Sequence, residues 1–245
     1  MRKVLVFFII TLFAFAYQAK VEPFDVYKIK ASVGGKVIKT NKNLEAKKVQ
    51  NIEIIKIDDK QNLIDLKNLQ AQIKILKEEI KNQSAVVKRK KRIYEKYKTL
   101  KTKSQNEKDL KFYDYMNALN QLLNLKSQFN NTLANIEKLK DTVSKKNIKV
   151  SGYIYKIYIN KDDYVAPGVL IADVYDISKQ KLTIFVPIDE IEGIKNKKVY
   201  INSKPSSFKI YKIWKVPDTQ YVTSYRVELV GSGLKFGEIV KVELK

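Results

Sequence analysis

Leu66-Lys-Asn-Leu69-Gln-Ala-Gln-Ile73-Lys-Ile-Leu76-Lys-Glu-Glu-Ile80 places its recurring apolar residues at alternating steps of three and four. The alternation continues without a break through Gln83, Val87, Lys90, Tyr94 and Tyr97. That period is the seam of a helix that packs lengthwise on another helix. A second seam of the same kind runs Tyr115, Ala118, Leu122, Leu125, Phe129, Thr132, Ile136, Leu139, Val143. Gly and Pro are absent from 59–146, where Leu, Ile, Lys, Glu, Gln and Asn dominate. One polar stretch, Lys101 to Glu107, separates the seams, and Ser104 three residues before Glu107 fits a capping box that starts the second helix. The pattern predicts an antiparallel coiled-coil hairpin over 59–146, each arm projecting roughly 60 Å at 1.5 Å per residue. Polar members at Gln83, Lys90 and Thr132 weaken the pair as a free-standing coiled coil and predict an arm held at its base by another unit.

The flanks change period. Residues 21–58 alternate apolar and polar around Val26, Ile29, Val33-Gly34-Gly35, Val37 and Val49 to Ile57, which predicts short strands with a glycine turn. Residues 148–175 return to strand period. Gly152-Tyr-Ile-Tyr-Lys-Ile-Tyr-Ile leads into a charged turn at Asn160 to Asp163, then Tyr164-Val165, Pro167-Gly168 and Val169 to Val174. Beyond 181, Leu182–Val186, Lys198–Ile201, Phe208–Trp214, Ser224–Val230 and Ile239–Leu244 read as further strands of a small antiparallel barrel.

Composition removes whole classes of chemistry. The 245 residues contain no Cys and no His. Disulfides, zinc-thiolate sites, thiol nucleophiles and imidazole bases are therefore excluded, and no catalytic, cofactor-binding or metal-ligating set stands out. The formal charge is +22. Lys is spread along the chain and far outnumbers Arg, which fits solvated faces better than a nucleic-acid reader. Asp58-Asp59 is expected to cap a helix start, and Asp162-Asp163 and Asp189-Glu190 to sit in turns. At the N-terminus, Arg2 and Lys3 precede the apolar run Val4–Phe13 and the small-x-small Ala14-Phe15-Ala16. That order predicts a secretory signal peptide within 1–19, cut near Ala16, with an uncleaved anchor as the other reading.

Gly152 to Ile171 resembles the second half of a lipoyl, or barrel-sandwich, module, and Gly34 to Asp58 resembles the first half, with Lys48 and Asn51 where turn glycines are expected. Leu234-Lys-Phe-Gly237-Glu-Ile-Val-Lys-Val-Glu-Leu244 resembles the end of an adaptor β-barrel. Split lipoyl-like halves around a helical hairpin make the chain similar to the HlyD-like membrane-fusion proteins. The resemblance implies an α+β fold: a lipoyl-like β domain over 20–58 and 147–176, the hairpin inserted at 59–146, and a small antiparallel β-barrel over 177–245. It implies a non-enzymatic periplasmic adaptor, without cofactor, between an inner-membrane transporter of the RND or ABC type and a TolC-type outer-membrane channel. It also implies a homo-oligomeric ring, hexameric in that family, with no nucleic-acid partner and a periplasmic place beside the inner membrane.

In adaptors that dock on such channels, the hairpin tip shows a basic residue, a Leu one turn later and a Ser at the bend. Lys96, Leu100 and Ser104 match that order, with Lys for the usual Arg and a shorter Leu-to-Ser spacing. They are the candidate channel-docking residues. Two other classes share parts of this pattern. A lipoyl or biotinyl carrier would present a modifiable Lys on the turn between its halves, but here that turn is replaced by the hairpin and Lys60 stands at a helix start. A periplasmic scaffold unconnected with export is the third class.

Overall fold

The computed structural model describes residues 16–245 and bears out the hairpin. Helix α1 (Lys60–Thr99) and helix α2 (Gln105–Lys145) pack on each other along their lengths. Every seam residue named above is buried or half-buried, with Ile73, Leu76, Ala118, Leu122, Thr132 and Ile136 the most deeply covered. The polar seam residues have particular tasks. Gln83 Nε2 donates across to the Ala118 carbonyl (2.8 Å) and to Gln121 Oε1 (3.1 Å). Lys90 faces Asp114 on the other helix at 3.4 Å. Thr132 turns its hydroxyl back to the Gln128 carbonyl at 2.9 Å, so its methyl can stay in the seam. Two of the three breaks therefore fix the register between the helices.

Twelve strands are present among the described residues: β1 (Ala16–Lys20), β2 (Glu22–Lys30), β3 (Gly35–Thr40), β4 (Lys48–Ile57), β5 (Asn147–Ile157), β6 (Tyr164–Val165), β7 (Leu170–Pro187), β8 (Val199–Ile201), β9 (Lys204–Pro205), β10 (Lys209–Ile213), β11 (Ser224–Gly231) and β12 (Ile239–Leu244). All pairings are antiparallel. One sheet runs β10-β11-β7-β5-β4-β3-β6, with β2 also on β7; the other runs β1-β12-β8-β9. Two apolar cores result. Val37, Ile54, Ile57, Ile154, Val165 and Ile171 fill the one nearer the hairpin, and Val21, Leu182, Ile184, Val227, Leu229 and Val242 fill the other.

Strand β7 supplies both cores, Ile171 and Val174 to the first and Leu182, Ile184 and Val186 to the second. The expected division at 176/177 therefore falls inside one continuous strand. The N-terminal boundaries also shift. Residues 16–19, expected to lie within a signal peptide spanning 1–19, pair with β12 together with Lys20, and Ala19 and Val21 are buried in the second core. The first residues of the 20–58 segment thus belong to the C-terminal β unit, because their ladder partner and their apolar contacts lie there. Arg2, Lys3 and Val4–Phe13 lie outside the described residues. No helix among the described residues is long and apolar enough to cross a membrane.

Two glycines hold special positions in the two flanks, Gly35 at the start of β3 and Gly152 in the middle of β5. Gly35 has φ 151°, and a Cβ there would stand 2.6 Å from the Ile57 side chain. Gly152 has φ 133°, and its Cβ would meet Val174 at 2.8 Å and the Tyr175 carbonyl at 3.1 Å. Asn51, where a turn glycine was expected, adopts φ 50° at a bulge in β4 and donates its amide to Ser151 Oγ at 2.9 Å. Asn tolerates that left-handed backbone better than most residues, which is how the position does without glycine.

The hairpin leaves the sheet between β4 and β5, whose adjoining ends are paired Lys56 to Asn147. Ile57 N donates to the Lys146 carbonyl at 2.9 Å, and Lys146 Nζ reaches the Asp58 carbonyl and Asn62 Oδ1, each at 2.5 Å. Asp59 is the first N-cap position, yet its carboxylate makes no cap bond and instead faces Lys56 at 3.6 Å. Asp58 Oδ1 takes the Lys60 amide at 3.0 Å.

Two outcomes are expected. Replacing the hairpin by a short turn joining Asp58 to Lys149 should leave a protein with a cooperative thermal transition and a β-type circular dichroism spectrum; a disordered chain would sink the arrangement. Gly152→Ala should lower the denaturation midpoint by an amount worth about 2 kcal/mol, because backbone strain and a contact with the Tyr175 main chain act together.

Candidate functional site

The candidate site is the far end of the hairpin, and its geometry begins with how the bend is closed. Helix α1 ends at Thr99, whose hydroxyl bonds the Lys96 carbonyl at 2.9 Å. Leu100 is the C-cap in extended conformation, with its amide on the Tyr97 carbonyl at 3.2 Å. After the turn at 101–103, Ser104 caps α2. Its hydroxyl accepts from the Glu107 amide, and the Glu107 carboxylate accepts from the Ser104 amide at 3.0 Å, which is the expected capping box. Lys103 ties the same carboxylate at 2.8 Å. The Lys103 ion pair and the Ser104 bonds together push the Glu107 carboxyl from the ordinary glutamate range down to about 2.

Lys96, Leu100 and Ser104 therefore occupy the last turn of α1, its cap and the cap of α2, one at each station around the bend. Lys96 and Ser104 are exposed. Leu100 is half-buried rather than open to solvent, so part of its side chain is covered within the chain. Sequence reasoning missed the group that braces this end. Tyr94 lies 5.4 Å from Phe112 and stacks on Tyr115 at 6.3 Å, and the ammonium groups of Lys103 and Lys111 approach the Tyr97 ring at 5.5 and 5.9 Å. The crowding of five aromatic residues into 94–97 and 112–115 was the available signal. Outside this collar, Leu110 and Tyr113 are 56% and 61% exposed on α2.

Elsewhere, an open groove of about 620 Å³ lies where the two β units meet, lined by Lys20, Val26, Tyr153, Tyr155, Tyr175 and Phe236. Tyr155 and Tyr175 stack there at 4.7 Å. Tyr158, one residue past the end of β5, donates to Asp173 at 2.6 Å, and that carboxylate pushes its hydroxyl up to about 12. Asp162 and Asp163 lie at a turn as expected, whereas Asp189 and Glu190 lie in a short 3-10 helix, Ile188–Glu190. Asp162 pairs with Lys36 at 2.7 Å, and Glu190 accepts the Tyr17 hydroxyl at 2.5 Å. Lys60 is the first residue of α1, not a residue of an exposed β-turn.

No family model matches the chain, and no curated protein matches it in sequence. Solved structures do match in shape. MacA from Actinobacillus actinomycetemcomitans superposes with a TM-score of 0.74 at 14% identity, over 94% of this chain and 78% of that one. The membrane fusion protein Spr0693 from Streptococcus pneumoniae R6 gives 0.69 at 10% identity, over 94% and 99%. A MacA-MexA chimera carrying the Pseudomonas aeruginosa MexA α-hairpin domain gives 0.66 at 15% identity, over 94% and 81%. In each case the match spans the hairpin and both β units.

The Glu107 ionisation has a measurable consequence. Its carboxyl pKa is depressed on folding, so the stabilisation is complete above the unfolded glutamate pKa and is lost as pH falls from about 4.5 toward 2. Amide exchange at 105–108 should accelerate across that window while the β cores stay protected. Glu107→Gln should abolish the acid dependence, and Ser104→Ala should weaken the start of α2 by about 1 kcal/mol at neutral pH.

Proposed function

We propose that this chain, which has the fold of the membrane fusion proteins, works as a periplasmic adaptor linking an inner-membrane transporter to a TolC-type outer-membrane channel. The observation that carries the reading is the placement of the hairpin. An arm roughly 60 Å long is inserted between β4 and β5, with both ends held in one sheet. Such an arm spans distance without enclosing a reaction centre, which fits a structural, non-enzymatic role. In this reading β3 to β6 with the first half of β7 correspond to the split lipoyl-like domain, and β1, the second half of β7 and β8 to β12 to the small barrel. The place where a carrier would offer its modifiable lysine is taken by the helices.

One narrow hairpin cannot enclose a conduit, so copies associate in a closed ring, a hexamer on the family resemblance. The β units sit at the transporter, of the RND or ABC type, and the tip residues Lys96, Leu100 and Ser104 meet the channel. The mature protein then works in the periplasm beside the inner membrane.

Purifying the protein from its own cells after mild crosslinking should bring down a transporter and a channel. Leu100→Asp should abolish export and the crosslink at the tip while leaving the thermal midpoint within about 1 °C, since a carboxylate there would have to be desolvated in an apolar groove. Because Leu100 is half-buried, the midpoint decides the case. Unfolding of the hairpin would make Leu100 a core residue and end the docking role, whereas unchanged export would make the tip a plain bend.

A further inference from the structure

The net positive charge is not evenly spread over the hairpin. Residues 88–114 hold eleven Lys and Arg against four carboxylates, whereas 60–87 hold five against three. All four distal carboxylates are occupied. Glu95 pairs with Lys91 at 3.8 Å, Glu107 with Lys103 at 2.8 Å, and Asp114 with Lys90 at 3.4 Å and Lys111 at 3.6 Å, while Asp109 accepts from Gln105 at 2.8 Å. Seven cations remain outside these pairs: Lys98, Lys101 and Lys108 close to the bend, and a group of four on α1, Lys88, Arg89, Arg92 and Lys96. All four are exposed, and none has a carboxylate within ion-pair range among the described residues. Val87, Lys90 and Tyr94 mark the side of α1 turned to α2, and the four cations lie about 130° or more around the helix from that seam. Two of the four arginines in a chain with forty-four lysines stand here, one turn apart.

We propose that this outer face of α1, Lys88-Arg89-Arg92-Lys96, is a docking surface for a carboxylate-bearing face of a different protein. The inference deepens the adaptor reading and rests on it for a partner at the far end of the arm. In a lysine-rich chain the arginines mark positions where a planar fork matters, and that fork matches a carboxylate with two parallel bonds. A second copy fits poorly, because parallel arms would set one cationic distal end against another. A bilayer fits poorly too. The cations are flanked by one exposed large apolar residue, Val86, with Ile93 and Tyr94 half-buried, short of the broad apolar face by which a surface helix enters lipid.

The test uses the full-length protein in envelope membranes of its own cells, with a zero-length carbodiimide that joins lysine amines only to carboxylates. Mass spectrometry should find an isopeptide from Lys88 or Lys96 to an Asp or Glu of another polypeptide. Its yield should fall roughly fivefold in R89Q/R92Q, which keeps both lysines, and likewise in about 0.5 M salt. Unchanged helical circular dichroism in R89Q/R92Q excludes unfolding as the cause. Links only to carboxylates of a second copy, a yield indifferent to salt and to the arginines, or no link together with arginine-dependent binding to vesicles of about 30% phosphatidylglycerol would each overturn the proposal. A salt- and arginine-dependent link to a protein that is not a channel would support acidic docking and count against the adaptor reading. No link, with export still abolished by Leu100→Asp, would overturn acidic docking and leave that reading standing.

Discussion

The pairing of β4 with β5 is the constraint on which the rest of the molecule depends. Lys56 and Asn147 are ladder neighbours although a whole coiled coil separates them in sequence. Closing a flexible insertion of that length would cost roughly 4 kcal/mol of chain entropy. The insertion is not flexible, because two helices of nearly equal length return its ends to the same place. The hairpin thus lowers the cost of the sheet, and the sheet in turn holds together a helix pair whose contact is a narrow stripe. That mutual support explains how a seam with only a few deeply buried residues, interrupted by Gln83 and Lys90, can persist along about forty residues per arm.

Strand β7 plays the corresponding part inside the β region. Its first half pairs with β5 and its second with β11, while β2 runs along much of its other edge. Buried residues fall at Ile171, Ala172 and Val174, then at Leu182, Ile184 and Val186. The two cores are therefore joined through a continuous backbone. Gln180, between the two buried sets, gives its side chain to both main-chain groups of Leu234, fastening the loop before β12 to the same point.

The long-period features were legible in the sequence and the ones that depend on register were not. Heptad spacing, the absence of Gly and Pro over 59–146 and the Ser104 to Glu107 spacing are local and give the helices and their bend directly. What Gln83 and Lys90 do could not be read. Their partners, Ala118, Gln121 and Asp114, are chosen by how one helix slides on the other, and single polar residues in a seam look only like breaks. Ala16–Lys20 was hidden for a different reason. It follows an apolar run and a small-x-small triplet, so local composition speaks for processing, while its strand character comes from β12, more than two hundred residues away. The tip residues were found by order along the chain, yet the half-burial of Leu100 and the aromatic collar beneath it arise only when both helices are present. In the sequence the charge looks diffuse, because lysine is frequent everywhere. Its concentration on one face needed the ion pairs to be subtracted first.

The way the arm is rooted also bears on how it carries mechanical load. A pull along the arm reaches the sheet at Ile57 and at Asn147 together, and so draws β4 and β5 lengthwise past their outer neighbours β3 and β7. Ladder hydrogen bonds in antiparallel sheets lie across the strands. Those between β4 and β3, and between β5 and β7, are then strained in parallel rather than opened one after another from an end. Anchorage in shear resists far more force than a hairpin peeled from the rim of a sheet.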